Sequence, residues 1–214
     1  MPLAADWVTI SALATAGGTL ILALATFASV RSANRAARAA ERSLLAGLRP
    51  LLVPSRVEDP TQRVGFMGNA HLDVPGGSAA AECSDETVLV AASLRNVGAG
   101  IAVLQGWYFH SELQPRAEHA EPEEFTRLTR DIFLAAGELG FWQGSFRDPS
   151  SETFAVARRT LESGSEWMVD VLYSDAEGGQ RMISRYAMRP NGNGGWDAVA
   201  GRHWSVDGVD PRYG

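Results

Sequence analysis

The residues from which a catalytic or metal-binding centre would be assembled are few: four histidines, one cysteine, and acids scattered along 214 positions. His71, His110, His119 and His203 lack the close pairing of a zinc motif. His71 stands beside Asp73, and His110 can meet His119 only if folding brings them together; otherwise each is a surface or half-buried side chain. Cys83 lies among Glu82, Asp85 and Glu86, whose negative charge disfavours a thiolate, so it reads as a lone surface thiol. With one cysteine the chain makes no internal disulfide. No serine occupies a glycine-flanked elbow, and the absence of lysine excludes a phosphate-cradling loop ending in Lys-Ser or Lys-Thr. Asp175 and Glu177 share one turn, too few oxygens for calcium, which takes six to eight. The expectation is a chain with no cofactor, no metal and no catalytic set.

Aromatic and arginine side chains offer binding chemistry instead. "GWYFH" and "GFWQG" place aromatic residues next to each other, and strand alternation turns one of each neighbouring pair out of the core. Trp142 or Tyr108 thereby forms an exposed patch for a protein partner, unless the segment 152–162 or a loop covers it. Arg31, Arg35, Arg38 and Arg42 recur at spacings of four, three and four, which is one face of a helix. Near an anionic leaflet an arginine contributes ~1 kcal/mol, but the field fades over about 8 Å, so only the first two or three feel the lipid. A flank that fixes orientation is the plainer reading. As a positive flank they hold the downstream chain in the cytoplasm. Through Arg49 there are five arginines against two acids, a balance of +3; the remainder has fourteen against twenty-three, a balance of −9. So acidic a body repels phosphate backbones, and nucleic acid is not an expected partner. All nineteen basic residues are arginine, which with the abundant alanine and glycine points to a GC-rich bacterial genome.

The element that carries the arginines begins earlier. From Val8 to Val30 there is no charged residue, and at ~1.5 Å per residue this run covers ~35 Å, enough for a hydrocarbon core of ~30 Å. A secretory signal has its positive charge before a shorter apolar run. Here the arginines come after it, and the expected arrangement is an extracytoplasmic amino terminus (1–7), a transmembrane helix (8–30) and a basic juxtamembrane helix (31–48) stopped by Gly47 and Pro50. Trp7 then sits at the outer interface. Within the span Ala12, Ala16, Thr19, Ala23 and Thr26 repeat at four, three, four and three, a small-residue face on which two copies of the helix can pack.

Beyond residue 48 short apolar or alternating runs are separated by turn residues, the pattern of strands. Strands are expected at 49–57, 86–96, 101–110, 130–135, 139–146, 166–174 and 180–188, with a weaker pair around Trp196 and Trp204. Asp175 to Gly179 reads as a hairpin turn and "NVGAG" (96–100) as a glycine bend between core strands. "SSETFAVARRTLESG" reads as a capped amphipathic helix, "EPEEFTRLTRD" as a short one, and Gly65 to Glu86 as a long mobile loop. Strands at this spacing predict an antiparallel β-sandwich over 49–206, with a tail at 207–214.

The sequence "SLRNVGAGIAVLQGWYF", with "LGFWQGSFRDPS", "VDVLYSDAEGGQRMISRYAM" and "GRHWSVD" after it and an apolar amino terminus before it, resembles a group of uncharacterised actinobacterial membrane proteins. The resemblance implies one amino-terminal span and an immunoglobulin-like cytoplasmic body, and no activity or site residue comes with it. The expected role is a single-pass inner-membrane protein whose sandwich binds an unidentified protein partner, possible as a homo-oligomer through its helix. A membrane-tethered, hydrolase-like enzyme with a site of distant histidines and acids is the alternative.

Overall fold

The computed structural model describes residues 3–113 and 118–207. It divides into two units, the amino-terminal helix and the body beyond Gly47. Helix α1, Leu3–Gly47, is a single uninterrupted 45-residue helix joining the apolar run to the arginine run. Its Ser and Thr hydroxyls donate to carbonyls within the helix: Ser11 to Val8, Thr15 to Ser11, Thr19 to Thr15 and Thr26 to Leu22. No hydroxyl of this set is left demanding water, which is what an apolar surrounding requires.

The body is an immunoglobulin-like antiparallel β-sandwich made by one curled sheet, with a separate two-stranded hairpin. Strand β5 (Val88–Asn96) is its hub. It pairs along its length with β8 (Leu139–Phe146) on one side, and on the other with β4 (Ser78–Cys83) and then β1 (Leu52–Pro54). At Ser78 and Ala79 the sheet turns a corner onto β11 (Trp196–Ser205) and continues through β10 (Met182–Pro190), β9 (Trp167–Ser174) and β6 (Ala102–His110) to β7 (Thr126–Leu134). Between the layers lie Val88, Val90 and Leu94 of β5 and Trp167, Val169, Val171 and Tyr173 of β9. Helix α2 (Glu152–Glu162), capped by the Ser151 hydroxyl, inserts Phe154, Ala157 and Leu161 into the same core, as its 3.6-residue spacing predicts.

Both central strands are buried on both faces and need a second cover. For β5 it is the hairpin of β2 (Gln62–Gly65) and β3 (His71–Val74), which packs Val64, Leu72 and Val74 onto Leu89 and Ala91. This corrects the expected mobile loop at Gly65 to Glu86: β3 and β4 occupy it. Short strands and the run "SAAAEC" carry little intrinsic strand preference; β4 gains its order by pairing with β5, and β3 by pairing with β2 and packing on β5. For β9 the cover is the β6–β7 connection together with Phe125 and Trp204, over Leu172 and Ile183. The expected helix in "EPEEFTRLTRD" is a correction of the same kind. A 3₁₀ turn at Pro122–Glu124 gives way to β7, where Thr126 and Thr129 suit an extended backbone. The pair expected around Trp196 and Trp204 is one continuous strand, β11. The strand expected at 49–57 shrinks to Leu52–Pro54, because Pro50 and Pro54 offer no ladder donor.

Two buried polar arrangements hold β1 in place. The Leu52 N–H donates to Tyr173 Oη at 3.3 Å, while Tyr186 Oη donates to the Leu52 carbonyl at 2.9 Å. Asn96 uses its whole amide: Nδ2 donates to the carbonyls of Gly100 (2.7 Å) and Leu134 (3.0 Å), and Oδ1 accepts from Leu51 (3.2 Å) and Gly98 (3.0 Å). The glycines of "NVGAG" are there for space: a Cβ on Gly100 would overlap the Leu48 carbonyl. The Asp175 turn closes the β9–β10 hairpin, with Oδ1 accepting from the Gly179 N–H. Asp207, expected in the tail, is ion-paired to Arg181 at 2.6 Å; the remaining tail positions, 208–214, lie outside the described residues.

Candidate functional site

The chemistry of the body concentrates on the outer face of the β6, β9 and β10 strands. Side chains at even positions of β9 point away from the sandwich core, and among them stands Asp170, wholly buried. An isolated carboxylate there is prohibitive. Arg185 of β10, its register partner, resolves this with a two-pronged contact, Nε to Oδ1 at 2.6 Å and Nη2 to Oδ2 at 2.7 Å. His110 at the end of β6 adds a third bond: its Nε2 donates to Asp170 Oδ2 at 3.1 Å, since an ionised carboxylate only accepts. Burial alone would push the Asp170 carboxyl up, but Arg185 and then His110 outweigh it and hold it below the usual range. Arg185 Nη2 also donates to the Glu118 carbonyl at 3.1 Å, tying the β6–β7 connection down, and its guanidinium lies 5.0 Å from the centre of the Trp204 ring.

Over this cluster opens a shallow pocket of about 260 Å³ lined by Tyr108, His110, Glu118, His119, Glu124 and Arg185. The fold thus brings His110 and His119 together. His119 stands edge-on to Trp204 at 5.5 Å. His203 is elsewhere, its Nδ1 2.6 Å from Ser184 Oγ. Serine and imidazole are a nucleophile–base pair by type, but Ser184 is wholly buried and shared with Tyr173 Oη at 2.9 Å, so no substrate reaches it. His71 contacts Arg63 at 3.0 Å. Among the described residues no group of three or more His, Cys, Asp or Glu side chains is placed to hold a metal ion. Cys83 is half-buried, and burial, reinforced by Glu162, pushes its thiol up, away from the reactive form.

The aromatic expectation needs correcting at Trp142. Alternation does turn one ring of "GFWQG" outward, but it is Phe141, which lies under the Arg130 guanidinium at 5.6 Å. Trp142 is wholly buried against Trp107 (5.7 Å) and Trp167 (6.4 Å) and presents nothing to a partner. Its Nε1 has no hydrogen-bond partner among the described residues. Trp142→Phe therefore loses volume and no hydrogen bond, and should cost only ~1–2 kcal/mol of stability in urea unfolding; a loss above about twice that would reveal a bonded indole. Tyr108 is half-buried, tilted against His110 at 4.9 Å and Phe125 at 6.2 Å.

On α1 the small face of Ala12, Ala16, Thr19 and Ala23 lines one shallow groove with Val8 and Leu20, and Thr26 lies a turn later. Arg31, Arg35 and Arg38 line another with Phe27 and Val30. The side chain of Arg42 lies outside the described residues. Asp170 and Arg185 are the site residues that sequence reasoning overlooked. Their signal was present: one acid in the apolar run "WMVDVLY" and one arginine in "MISRYAM" must find each other or water.

No protein-family model matches the chain, and no curated protein does. Among solved structures it is similar to a β-glucosidase from Kluyveromyces marxianus, at 14% identity over 61% of this chain and 13% of that one, with a TM-score of 0.24. A β-glucosidase from Erythrobacter marinus gives 16% identity, 66% and 18% coverage, and a TM-score of 0.23. The putative ApaA protein from Bordetella pertussis gives 11%, 76% and 96% coverage, and 0.21. The chain thus spans less than a fifth of either glucosidase. Likenesses of this size assign no activity.

Proposed function

We propose that this is a single-pass membrane protein whose sandwich is a protein-interaction module at the cytoplasmic face of the inner membrane. The observation that carries the reading is α1. It is long and apolar enough to cross a membrane, and none of its most apolar stretch is buried by protein. Leu20, Ile21, Leu22, Leu24 and Phe27 each expose over 60% of their surface, an arrangement that water penalises by ~25 cal/mol per Å² and lipid does not. Arg31, Arg35, Arg38 and Arg42 on the carboxyl-terminal side support an outside amino terminus and a cytoplasmic body. The small face from Ala12 to Thr26 supports a homo-oligomer within the bilayer.

The span has a direct test. Leu22 at the centre contributes about −0.3 to −0.6 kcal/mol on the insertion scale and arginine there costs about +2.5 to +3.5. Wild-type protein should stay with vesicles through alkaline carbonate washing, whereas Leu22→Arg should appear in the supernatant. Identical fractionation of the two would remove the span from the reading.

The alternative of a tethered hydrolase-like enzyme draws on the pocket where His110, His119, Glu118 and Glu124 meet. The geometry supports it less. Both oxygens of Asp170 are committed to Arg185, and no serine, threonine or cysteine lines that pocket among the described residues.

A further inference from the structure

Next to the charge cluster, the ends of β6 and β8 and the first turns of α2 enclose a groove of about 550 Å³. Its floor is aromatic. Phe146 stands edge-on to Trp107 at 5.1 Å and to Phe109 at 5.5 Å, and Phe109 stacks on the buried Trp167 at 5.5 Å. Phe109 and Phe146 are only partly covered, so ring surface faces the opening. The rim carries Glu124, Asp148 and Glu152 against a single cation among the described residues, Arg147, whose Nε donates to Ser145 Oγ.

Two features compete over the sign of a ligand. The amino terminus of α2 carries a partial positive charge of roughly one half, and the Ser151 hydroxyl already accepts from the Phe154 N–H there. Three carboxylates against one guanidinium leave the rim at about −2, which outweighs the helix terminus. Glu152 has no ion-pair partner among the described residues. A negative rim over aromatic rings suits a cation on an apolar stem: ring faces attract cations, and the exposed carboxylates around them add the complementary charge.

We propose that this groove docks an arginine- or lysine-bearing segment of a protein partner, its cationic head over Phe109 and Phe146 and paired with Glu152. The inference rests on the reading of the sandwich as an interaction module and names the chemistry of what it binds.

The full-length protein in non-ionic detergent micelles is titrated with a fluorescent alanine–leucine peptide carrying arginines, and with its counterpart in which glutamate replaces each arginine. The arginine peptide should bind saturably and the glutamate peptide should not. Glu152→Lys should weaken binding about tenfold, one attraction being exchanged for one repulsion. Val156→Arg, which delivers a cation into the groove from α2 itself, should weaken it at least as much. Glu58→Lys makes the same charge change on the β1–β2 connection and should leave affinity within about twofold. Equal binding of the two peptides, or equal losses in Glu152→Lys and Glu58→Lys, would overturn the proposal. A photocrosslinking residue at Thr153 in intact membranes separates the two claims. A protein captured there equally well by the wild type and by Glu152→Lys overturns the cationic occupant and leaves the module standing. Absence of any capture, from Thr153 or from sites spread over the sandwich, removes the module as well.

Discussion

Replacing Arg185 by methionine should lower the unfolding free energy of the sandwich by ~3–5 kcal/mol, the usual cost of stranding one member of a buried ion pair. Asp170 is wholly buried and Arg185 nearly so, and the pair is joined by two bonds of 2.6 and 2.7 Å. Without the guanidinium, burial acts on a carboxyl that keeps only His110, so the protein holds an uncompensated charge or takes up a proton. The two proteins should therefore respond to pH in opposite directions. In the wild type the Asp170 carboxyl is held below its ordinary range. Its contribution is complete above the unfolded value of ~3.9 and disappears as pH falls through the lower folded value. In Arg185→Met burial dominates and raises the carboxyl, so stability declines as pH rises through that raised value. Urea unfolding of the full-length protein in micelles, monitored by tryptophan fluorescence between about pH 2 and pH 8, reads both effects. The double variant Asp170→Leu, Arg185→Met should recover most of the loss, because apolar replacement of a buried pair is often close to neutral. A double variant no more stable than Arg185→Met would show that the loss comes from the freed β6–β7 connection and not from the stranded charge.

Asn96→Leu should be comparably damaging, at ~3–5 kcal/mol. Leucine has similar bulk but strands two N–H groups and two carbonyls that the amide satisfies, and each buried group left alone costs ~1–3 kcal/mol; water reaches the half-buried Leu51 and Gly98 and softens the total. Asn96→Asp sharpens the test. It keeps the acceptor for Leu51 and Gly98 but turns a carboxylate oxygen toward the carbonyls of Gly100 and Leu134. Burial and those carbonyls raise the new carboxyl, so this variant should regain stability as pH falls and a hydroxyl replaces the lost donor. An Asn96→Asp protein as stable as the wild type at neutral pH would show that the bend at 96–100 is held by its glycines and strand pairing alone.

Several elements were legible because they are written in short-range patterns. The helix 152–162 shows its serine cap and its apolar positions at three- and four-residue spacing, and Asp175 to Gly179 shows turn chemistry between apolar runs. The strands β5, β6, β8 and β9 stand within about two residues of where their apolar runs predict them, the boundary error expected of such reasoning. The hairpin at 62–74 was not legible. Its strands are short and weakly apolar, and the demand for them comes from β5, whose continuous apolar run needs cover on its second face. The same demand on β9 draws Phe125 over the sheet and shortens the helix expected around it to a single turn.

Composition and period alone account for the division into an apolar helix with a basic flank and an acidic, antiparallel β body, since length, hydropathy and alternation act on neighbouring residues. Which residues meet was left to folding. Trp142 lies inward and Phe141 outward, Asp170 finds Arg185 across a strand pair, and His110 joins His119 beneath one connection. Each of these depends on which strands lie side by side and on what covers them. That choice is made by burying two-faced strands and pairing buried charges over long separations, a balance that no local pattern records.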